Sequence, residues 1–223
     1  MKTCLVTGAN RGIGLEFCRQ YQARGDTVIA VCRSPSRELE ALEVEIIDGV
    51  DVQDPRSLAD LSSRLDKRAV DILVNNAGVL RRDKLGTLSS QALEDMLLQF
   101  RTNSIGPVLV TEALLPHLGE GSKVGIVTSR MGSVTDNTSG GYYGYRMSKA
   151  AVNIAGVSLA KDLADRGIAV ALLHPGYVRT DMTGHEGFID PDEAARGLIQ
   201  RLDELTLETS GGFWHTSGER LPW

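Results

Sequence analysis

Several things are scarce in this chain, and each shortage excludes a class of protein. Cations are outnumbered: 24 Lys and Arg against 29 Asp and Glu give a formal net charge of −5. A surface built to neutralise a nucleic-acid backbone is not expected, so no nucleic-acid partner is predicted. Cysteine is limited to Cys4, Cys18 and Cys32, an odd number with no C-x-x-C pair. That argues against a disulfide scaffold or a cysteine-type zinc site and fits a reducing cytosol. The four histidines, His117, His174, His185 and His215, lack metal-site spacing. Structural or surface roles and no metal are predicted for them. No apolar run approaches the roughly 18 residues that span a bilayer, so no membrane partner is predicted. Met1-Lys2-Thr3-Cys4-Leu5-Val6 runs straight into a strand pattern, which leaves no room for a signal peptide. A cytoplasmic location is expected.

What is present reads as an ordinary globular chain of 223 residues, 42% hydrophobic and 24% charged. A chain of this length buries about 70% of its unfolded surface without a staple. Short continuous apolar runs occur at 3–6, 27–31, 44–47, 72–74, 124–128, 169–173 and 212–215. Helix-length stretches lie between most of them, at 14–24, 55–65, 91–118, 143–165 and 191–205. Strands separated by helices imply right-handed crossovers and a parallel sheet, and continuous apolar strands imply helices on both faces. With no repeat and no linker, the prediction is one α/β domain over 1–223. Its fold would be a Rossmann-type doubly wound parallel sheet of about seven strands. In such a sheet ligands sit beyond the carboxyl ends of the strands.

The residues at those ends carry the chemistry. Thr7-Gly8-Ala9-Asn10-Arg11-Gly12-Ile13-Gly14 joins the first strand to the first helix. Gly8 allows the sharp exit, and Gly12 and Gly14 allow a pyrophosphate to approach the helix N-terminus. The spacing is T-G-x-x-x-G-x-G, with Phe17 in place of the last glycine of the general fingerprint, and no Gly-Lys-Ser/Thr follows. After the second strand stand Cys32, Arg33 and Ser34, where NAD enzymes place a carboxylate. A guanidinium and a hydroxyl favour a 2′-phosphate, so NADP(H) is the preferred cofactor and NAD(H) the alternative. Asp51-Val52 and Asn75-Asn76-Ala77-Gly78 follow the third and fourth strands. Small residues there admit the adenosine, and the Asn side chains can tie loops together.

Tyr145 and Lys149 stand at i and i+4 of a helical run and share one face. A cation beside a phenol favours the tyrosinate, which suits proton exchange with a carbonyl or alcohol oxygen. Tyr142 and Arg146 form a rival pair at the same spacing. Pro107 interrupts the long run 91–118 and leaves the Asn103 carbonyl without its helical partner.

Together these motifs resemble the short-chain dehydrogenase/reductase family over essentially the full length. The matches are Thr7–Gly14, Asp51, Asn75–Gly78, Asn103, Ser129, Tyr145 with Lys149, and Pro175-Gly176. The C-terminal third, with His174–Met182 and Leu221-Pro222-Trp223, looks like the C-factor and sniffer-like carbonyl-reductase branch. The resemblance implies an NAD(P)-dependent oxidoreductase that moves a hydride between nicotinamide and a small carbonyl or alcohol. By that resemblance Tyr145 is the acid/base. Lys149 lowers its pKa and binds the nicotinamide ribose. A serine orients the carbonyl, and Asn103 holds a water that links Lys149 to solvent. Pro175, Gly176, Val178 and Thr180 would shape the nicotinamide pocket.

Two departures stand out. The family serine lies about thirteen residues before the tyrosine, where this chain has Gly132; Ser129 and Ser133 are the candidates, and Ser129 follows a strand directly. The segment 181–190 is short for a substrate cover. The resemblance also implies a homodimer or homotetramer through the runs 91–118 and 143–165, with Ala150, Ala151, Ala155 and Gly156 permitting close helix approach. An NADP(H)-binding signalling or sensor protein with little turnover is the alternative function.

Overall fold

The computed structural model describes residues 1–223. Seven strands form one parallel sheet: β1 (Thr3–Thr7), β2 (Thr27–Val31), β3 (Glu45–Ile47), β4 (Ile72–Asn75), β5 (Lys123–Val127), β6 (Ala169–His174) and β7 (Gly212–His215). Their order is β3-β2-β1-β4-β5-β6-β7, so the winding reverses between β1 and β4. Leu5 pairs with Ile29 on one side and Leu73 on the other. The fold agrees with the doubly wound sheet expected from the apolar runs.

Why both faces are covered is visible in β1. Strand side chains alternate in direction. Leu5 joins a core with Leu58, Leu61 and Leu65 of α3 (Pro55–Leu65), Val110 of α5 (Gly106–Ala113) and Val152 of α6 (Tyr143–Asp162). Cys4 and Val6 join the opposite core, with Phe17 and Tyr21 of α1 (Gly12–Ala23) and Leu198 and Leu202 of α7 (Pro191–Glu204). Each buried leucine contributes roughly 1.5–3 kcal/mol by leaving water. Phe17, at the missing glycine position, is fully buried and stacks on Tyr21 at 6.0 Å. No helix is long and apolar enough to cross a membrane.

The helical run expected over 91–118 is not one helix. It divides into α4 (Ser90–Phe100), a π turn at Arg101–Ile105, α5, and a 3-10 turn at Leu115–His117. The Gly106 N–H reaches five residues back to the Arg101 carbonyl, just before Pro107, which has no N–H to give. The run expected over 143–165 ends at Asp162, and a 3-10 turn follows at Ala164–Arg166. A four-residue α2 (Arg37–Glu40), capped by the Ser36 hydroxyl, was not expected. Gly156 does not face outward for a helix partner: a Cβ there would stand 2.8 Å from Leu172 of β6. It lets α6 lie close on the sheet.

Candidate active site

The glycine loop and the segment after β4 meet at the β1/β4 reversal, where a doubly wound sheet opens a crevice. Gly8 has φ +65, and a Cβ on it would stand 2.8 Å from the Ala77 Cα. A Cβ on Gly14 would stand 2.2 Å from the Gly8 carbonyl oxygen. The loop is therefore folded against backbone on both sides. Asn76 holds it there, donating to the carbonyls of Thr7 and Gly8 at 3.0 and 3.2 Å. The Thr7 hydroxyl accepts from the N–H groups of Asn76 and Ala77. Asn75 points the other way, to Thr111 of α5. Asn76 is thus the clamp; Asn75, singled out beside it for the cofactor, ties β4 to a helix.

α1 begins at Gly12, and its N-cap, Arg11, makes no side-chain cap. The first-turn N–H groups, Gly12, Ile13 and Gly14 among them, have no intrahelical partner, so this end suits an anion. Asn10 is half-buried beside it. Thr180 closes the far side: a Cβ on Gly12 would stand 3.4 Å from its methyl group. The Arg11 guanidinium is bonded to Asp181 at 3.1 Å, which ties the segment after β6 to the glycine loop. Pro175 and Gly176 are half-buried after β6, and Val178 is buried and bridges to Ile189. On the other flank, Arg33 and Ser34 are exposed beyond β2, and the Arg33 side chain is in no ion pair. Asp51 accepts from the Gln53 N–H at 2.9 Å, and Val52 is buried against Gly106. The uncapped helix end and the tightly packed glycines fit a dinucleotide.

Beyond the C-terminal end of β5 lie Ser129, Tyr145 and Lys149, all buried. Burial pushes the Tyr145 phenol up to about 12, and the Ser129 hydroxyl pulls the other way. The Ser129 oxygen also accepts from the Met131 N–H at 3.1 Å. Burial likewise pulls the Lys149 ammonium down to about 8. Its Nζ donates to the Val127 carbonyl at 2.9 Å and lies 5.7 Å from the Tyr145 ring centre. Lys149 was expected to depress the phenol. In the protein by itself burial dominates both groups, so the phenol stays protonated at neutral pH.

Gly132 occupies the spacing where the family carries serine for a steric reason. A Cβ there would stand 2.6 Å from the Lys149 carbonyl carbon, so only glycine lets this turn lie on α6. Ser133 faces away into its own loop, accepting from the Asp136 N–H. The rival Arg146 is spent on the carbonyls of Gly141 and Met131 and on Ser139.

Asn103 sits in the π turn and is 2% exposed. Its Oδ1 accepts from the Val79 N–H at 2.8 Å, and its Nδ2 donates to the Val79 carbonyl and the Ser148 hydroxyl. A Cβ on Gly78 would lie 3.3 Å from Asn103 Oδ1 and 3.9 Å from Lys149 Nζ. Glycine therefore keeps open the space between those two groups. Two residues to which the sequence assigned no part in the site flank it. The Asp83 carboxylate meets the start of α6. The His215 ring lies 5.2 Å from that of His174, whose Nδ1 is buried without a partner and whose pKa burial lowers to about 3.

A doubly wound sheet with an uncapped glycine loop and a buried Ser–Tyr–Lys group defines a dinucleotide-dependent oxidoreductase. A family model described as short chain dehydrogenase matches residues 2–187. The chain is 44% identical over 229 residues to the 1-hydroxy-2-glutathionyl-2-methyl-3-butene dehydrogenase of Rhodococcus sp. strain AD45, covering all of both chains. It is 44% identical over 156 residues to the C-signal protein of Myxococcus xanthus, covering 69% of this chain and 93% of that one. Among solved structures, NADPH-bound carbonyl reductase from chicken fatty liver superposes with a TM-score of 0.90 at 30% identity. That match covers 100% of this chain and 99% of the other. The chain belongs to the short-chain dehydrogenase family.

Proposed function

We propose that this protein is an NADPH-preferring carbonyl reductase with Tyr145 as the proton donor. The observation that carries the reading is the buried Tyr145 phenol, held protonated beside Ser129 and Lys149 at the carboxyl end of β5. Bound NADPH would supply the hydride. Ser129 would hold the substrate carbonyl oxygen and Tyr145 would give it a proton, so that hydride and proton together make the alcohol. A protonated phenol suits this direction. Lys149 would bind the nicotinamide ribose, and the proton would return through Lys149 and a water at the Asn103 carbonyl.

Gly8, Asn10, Arg11, Gly12, Ile13 and Gly14 would hold the pyrophosphate, with Asp51, Val52, Ala77 and Gly78 around the adenosine. Arg33 and Ser34 would take the 2′-phosphate. The exposed, unpaired Arg33 supports the preference for NADPH. Pro175, Gly176, Val178 and Thr180 would close the nicotinamide side. Three free, buried cysteines support a cytoplasmic setting. Leu93, Leu97 and Phe100 on α4 and Ile154 on α6 are exposed, which supports a homodimer or homotetramer built on these helices.

The test is NADPH oxidation with a panel of aldehydes, ketones and quinones, with Tyr145→Phe as control. The Rhodococcus relative's name specifies a glutathionyl alcohol, so the panel includes such alcohols with NADP+. The likeness to C-signal supports a second reading, an NADP(H)-binding signalling protein. Tight NADPH binding without turnover on the whole panel would favour it; the full Ser–Tyr–Lys set favours the enzyme.

A further inference from the structure

The proposed catalytic helix is capped from another loop. α6 starts two residues before Tyr145, and its own N-cap, Tyr142, provides no side-chain cap. Instead the N–H groups of Tyr143 and Gly144 donate to the two carboxylate oxygens of Asp83, at 2.5 and 2.9 Å. The Tyr142 N–H donates to the Asp83 carbonyl at 3.2 Å. Three consecutive N–H groups thus end on one residue, which lies 60 positions before Tyr143. Tyr142 itself has φ 52 and ψ 43, a left-handed conformation that a bulky side chain rarely adopts. Such a conformation persists where neighbouring bonds over-determine it, and Asp83 supplies those bonds.

Asp83 is fixed in turn. Val79, four residues earlier, is bonded at both its N–H and its carbonyl to Asn103 in the π turn. The Arg81 N–H donates to Oε1 of Gln99, a fully buried residue of α4, at 2.9 Å. Gly144 lies directly on the same helix: a Cβ there would stand 2.6 Å from Gln99 Nε2 and 2.8 Å from Met96 Cγ. The segment Val79–Asp83 is therefore a strap. It runs from the π turn, along α4, to the first turn of α6.

We propose that Asp83 is a positioning residue for Tyr145. Its carboxylate sets the place and angle of the first turn of α6, whose third residue carries the phenol. The inference rests on the acid/base reading of Tyr145 given above. A carboxylate suits the task because it accepts two bonds at once and its charge meets the positive end of the helix. It acts through the first turn of α6, whereas the proposed pyrophosphate contacts lie on the glycine loop and α1, so its loss should fall mainly on turnover.

The experiment compares wild type, Asp83→Ala and Asp83→Asn, with Tyr145→Phe as reference. It reads kcat and KM for a carbonyl substrate, NADPH Kd by fluorescence, and Tm to normalise for folded protein. A displacement of about 1 Å costs on the order of 10²-fold in rate, so Asp83→Ala should lower kcat about ten- to a hundredfold. NADPH Kd should stay within about twofold, because the proposed pyrophosphate contacts lie on the glycine loop and α1, and Lys149, the one proposed contact on α6, is held separately by the Val127 carbonyl. Asp83→Asn keeps one accepting oxygen and should recover to a loss of about two- to fivefold against wild type. Wild-type kcat in folded Asp83→Ala overturns the proposal, and so does a Kd that weakens in step with kcat. If the alanine variant does not fold, Asp83→Asn decides. A loss of about two- to fivefold at constant Kd supports the role, and unchanged kcat overturns it. Wild-type turnover in Tyr145→Phe would instead overturn the acid/base reading, and the positioning role with it.

Discussion

Two helices turn their N-termini toward the site and finish them in opposite ways. α1 starts at Gly12 under Arg11, with no side-chain cap and no acidic residue in its first turn. α6 starts at Tyr143 under the Asp83 carboxylate, which takes the first two N–H groups. A helix end that is to receive an anion must stay free of competing anions. A helix end that only holds side chains in place gains by being closed. The difference separates two tasks within one crevice: the open end of α1 binds, and the first turn of α6 acts. Variants at the first turn of α6 should therefore change turnover, and variants around the start of α1 should change affinity.

Tyr145→Phe makes the hardest test of that division. It removes the proposed proton donor and leaves both helix ends intact. Positioned acid–base groups contribute about 10²–10⁴-fold, so kcat should fall by about 10³ with NADPH Kd unchanged. Loss of cofactor binding in this variant would break the separation. Ser129→Ala comes next, at about 10²-fold in kcat, the scale of a lost oxyanion donor. Ser133→Ala should cost less than Ser129→Ala, since the Ser133 hydroxyl serves Asp136 in its own loop. The reverse ranking would move the substrate oxygen away from β5.

The third test is pH. Burial holds the Lys149 ammonium down to about 8, below its ordinary 10.5. Between those values the unfolded chain binds more protons, so stability rises with pH across that window. Tyr145 acts in the opposite sense. Its phenol is held up to about 12, so the stability it confers is lost as pH climbs past 10. Lys149 should contribute up to about 3 kcal/mol between pH 8 and 10, at 1.36 kcal/mol per pKa unit, against an opposing loss from the Cys4 and Cys18 thiols, which burial holds up to about 12. Urea midpoints at several pH values measure it. The difference between wild type and Lys149→Met isolates the Lys149 part, because the thiols are common to both; an equal pH dependence in the two proteins would show that Lys149 does not carry it.

How much of this was legible in the sequence depends on range. The strands could be read because continuous apolar runs such as Val28–Val31 have no other use in a chain of this class. The glycine loop could be read because a turn between strand and helix needs positive φ, and Gly8 and Gly12 both have it. Pro107 signalled that the run 91–118 is interrupted. It did not signal a π turn, because the choice of hydrogen bond is made by packing around Thr102, Asn103 and Ser104. Asp83 was hidden. In Arg81-Arg82-Asp83-Lys84 it reads as one solvated charge among several, and its partners are 60 residues away. Gly132 looked like a departure in spacing, because nothing local tells that the Lys149 backbone lies against it.

Arg33 sharpens the comparison on the binding side. A charged hydrogen bond is worth roughly 1.5–3 kcal/mol, so wild type should prefer NADPH over NADH by about ten- to a hundredfold. Arg33→Ala should remove most of that preference and leave kcat at saturating NADPH unchanged. Titration of both cofactors against both proteins measures it. Equal affinities in wild type would take the 2′-phosphate away from this residue.

The smallest effect is expected at the rim of α1. Arg11 stands over the open helix end, yet its guanidinium is bonded to Asp181 at 3.1 Å, and Asp181 also pairs with His185 at the same distance. Arg11 and Asp181 are both more than half exposed, so their bond contributes at most about 1 kcal/mol to stability. Asp181 is nevertheless a negative charge beside the end proposed to receive a pyrophosphate, and it occupies the nearest cation. Asp181→Asn removes the charge, keeps the side chain's shape and frees Arg11. NADPH should bind about two- to fivefold tighter, with the difference shrinking as salt screens these exposed charges. The same substitution at the residue that caps α6, Asp83→Asn, should leave affinity alone and lower kcat. Opposite responses to one chemical change at two helix ends would be the most direct sign that α1 and α6 divide the work. Weaker NADPH binding in Asp181→Asn would mean instead that the Arg11–Asp181 pair shapes the binding end and does not compete with the cofactor for it.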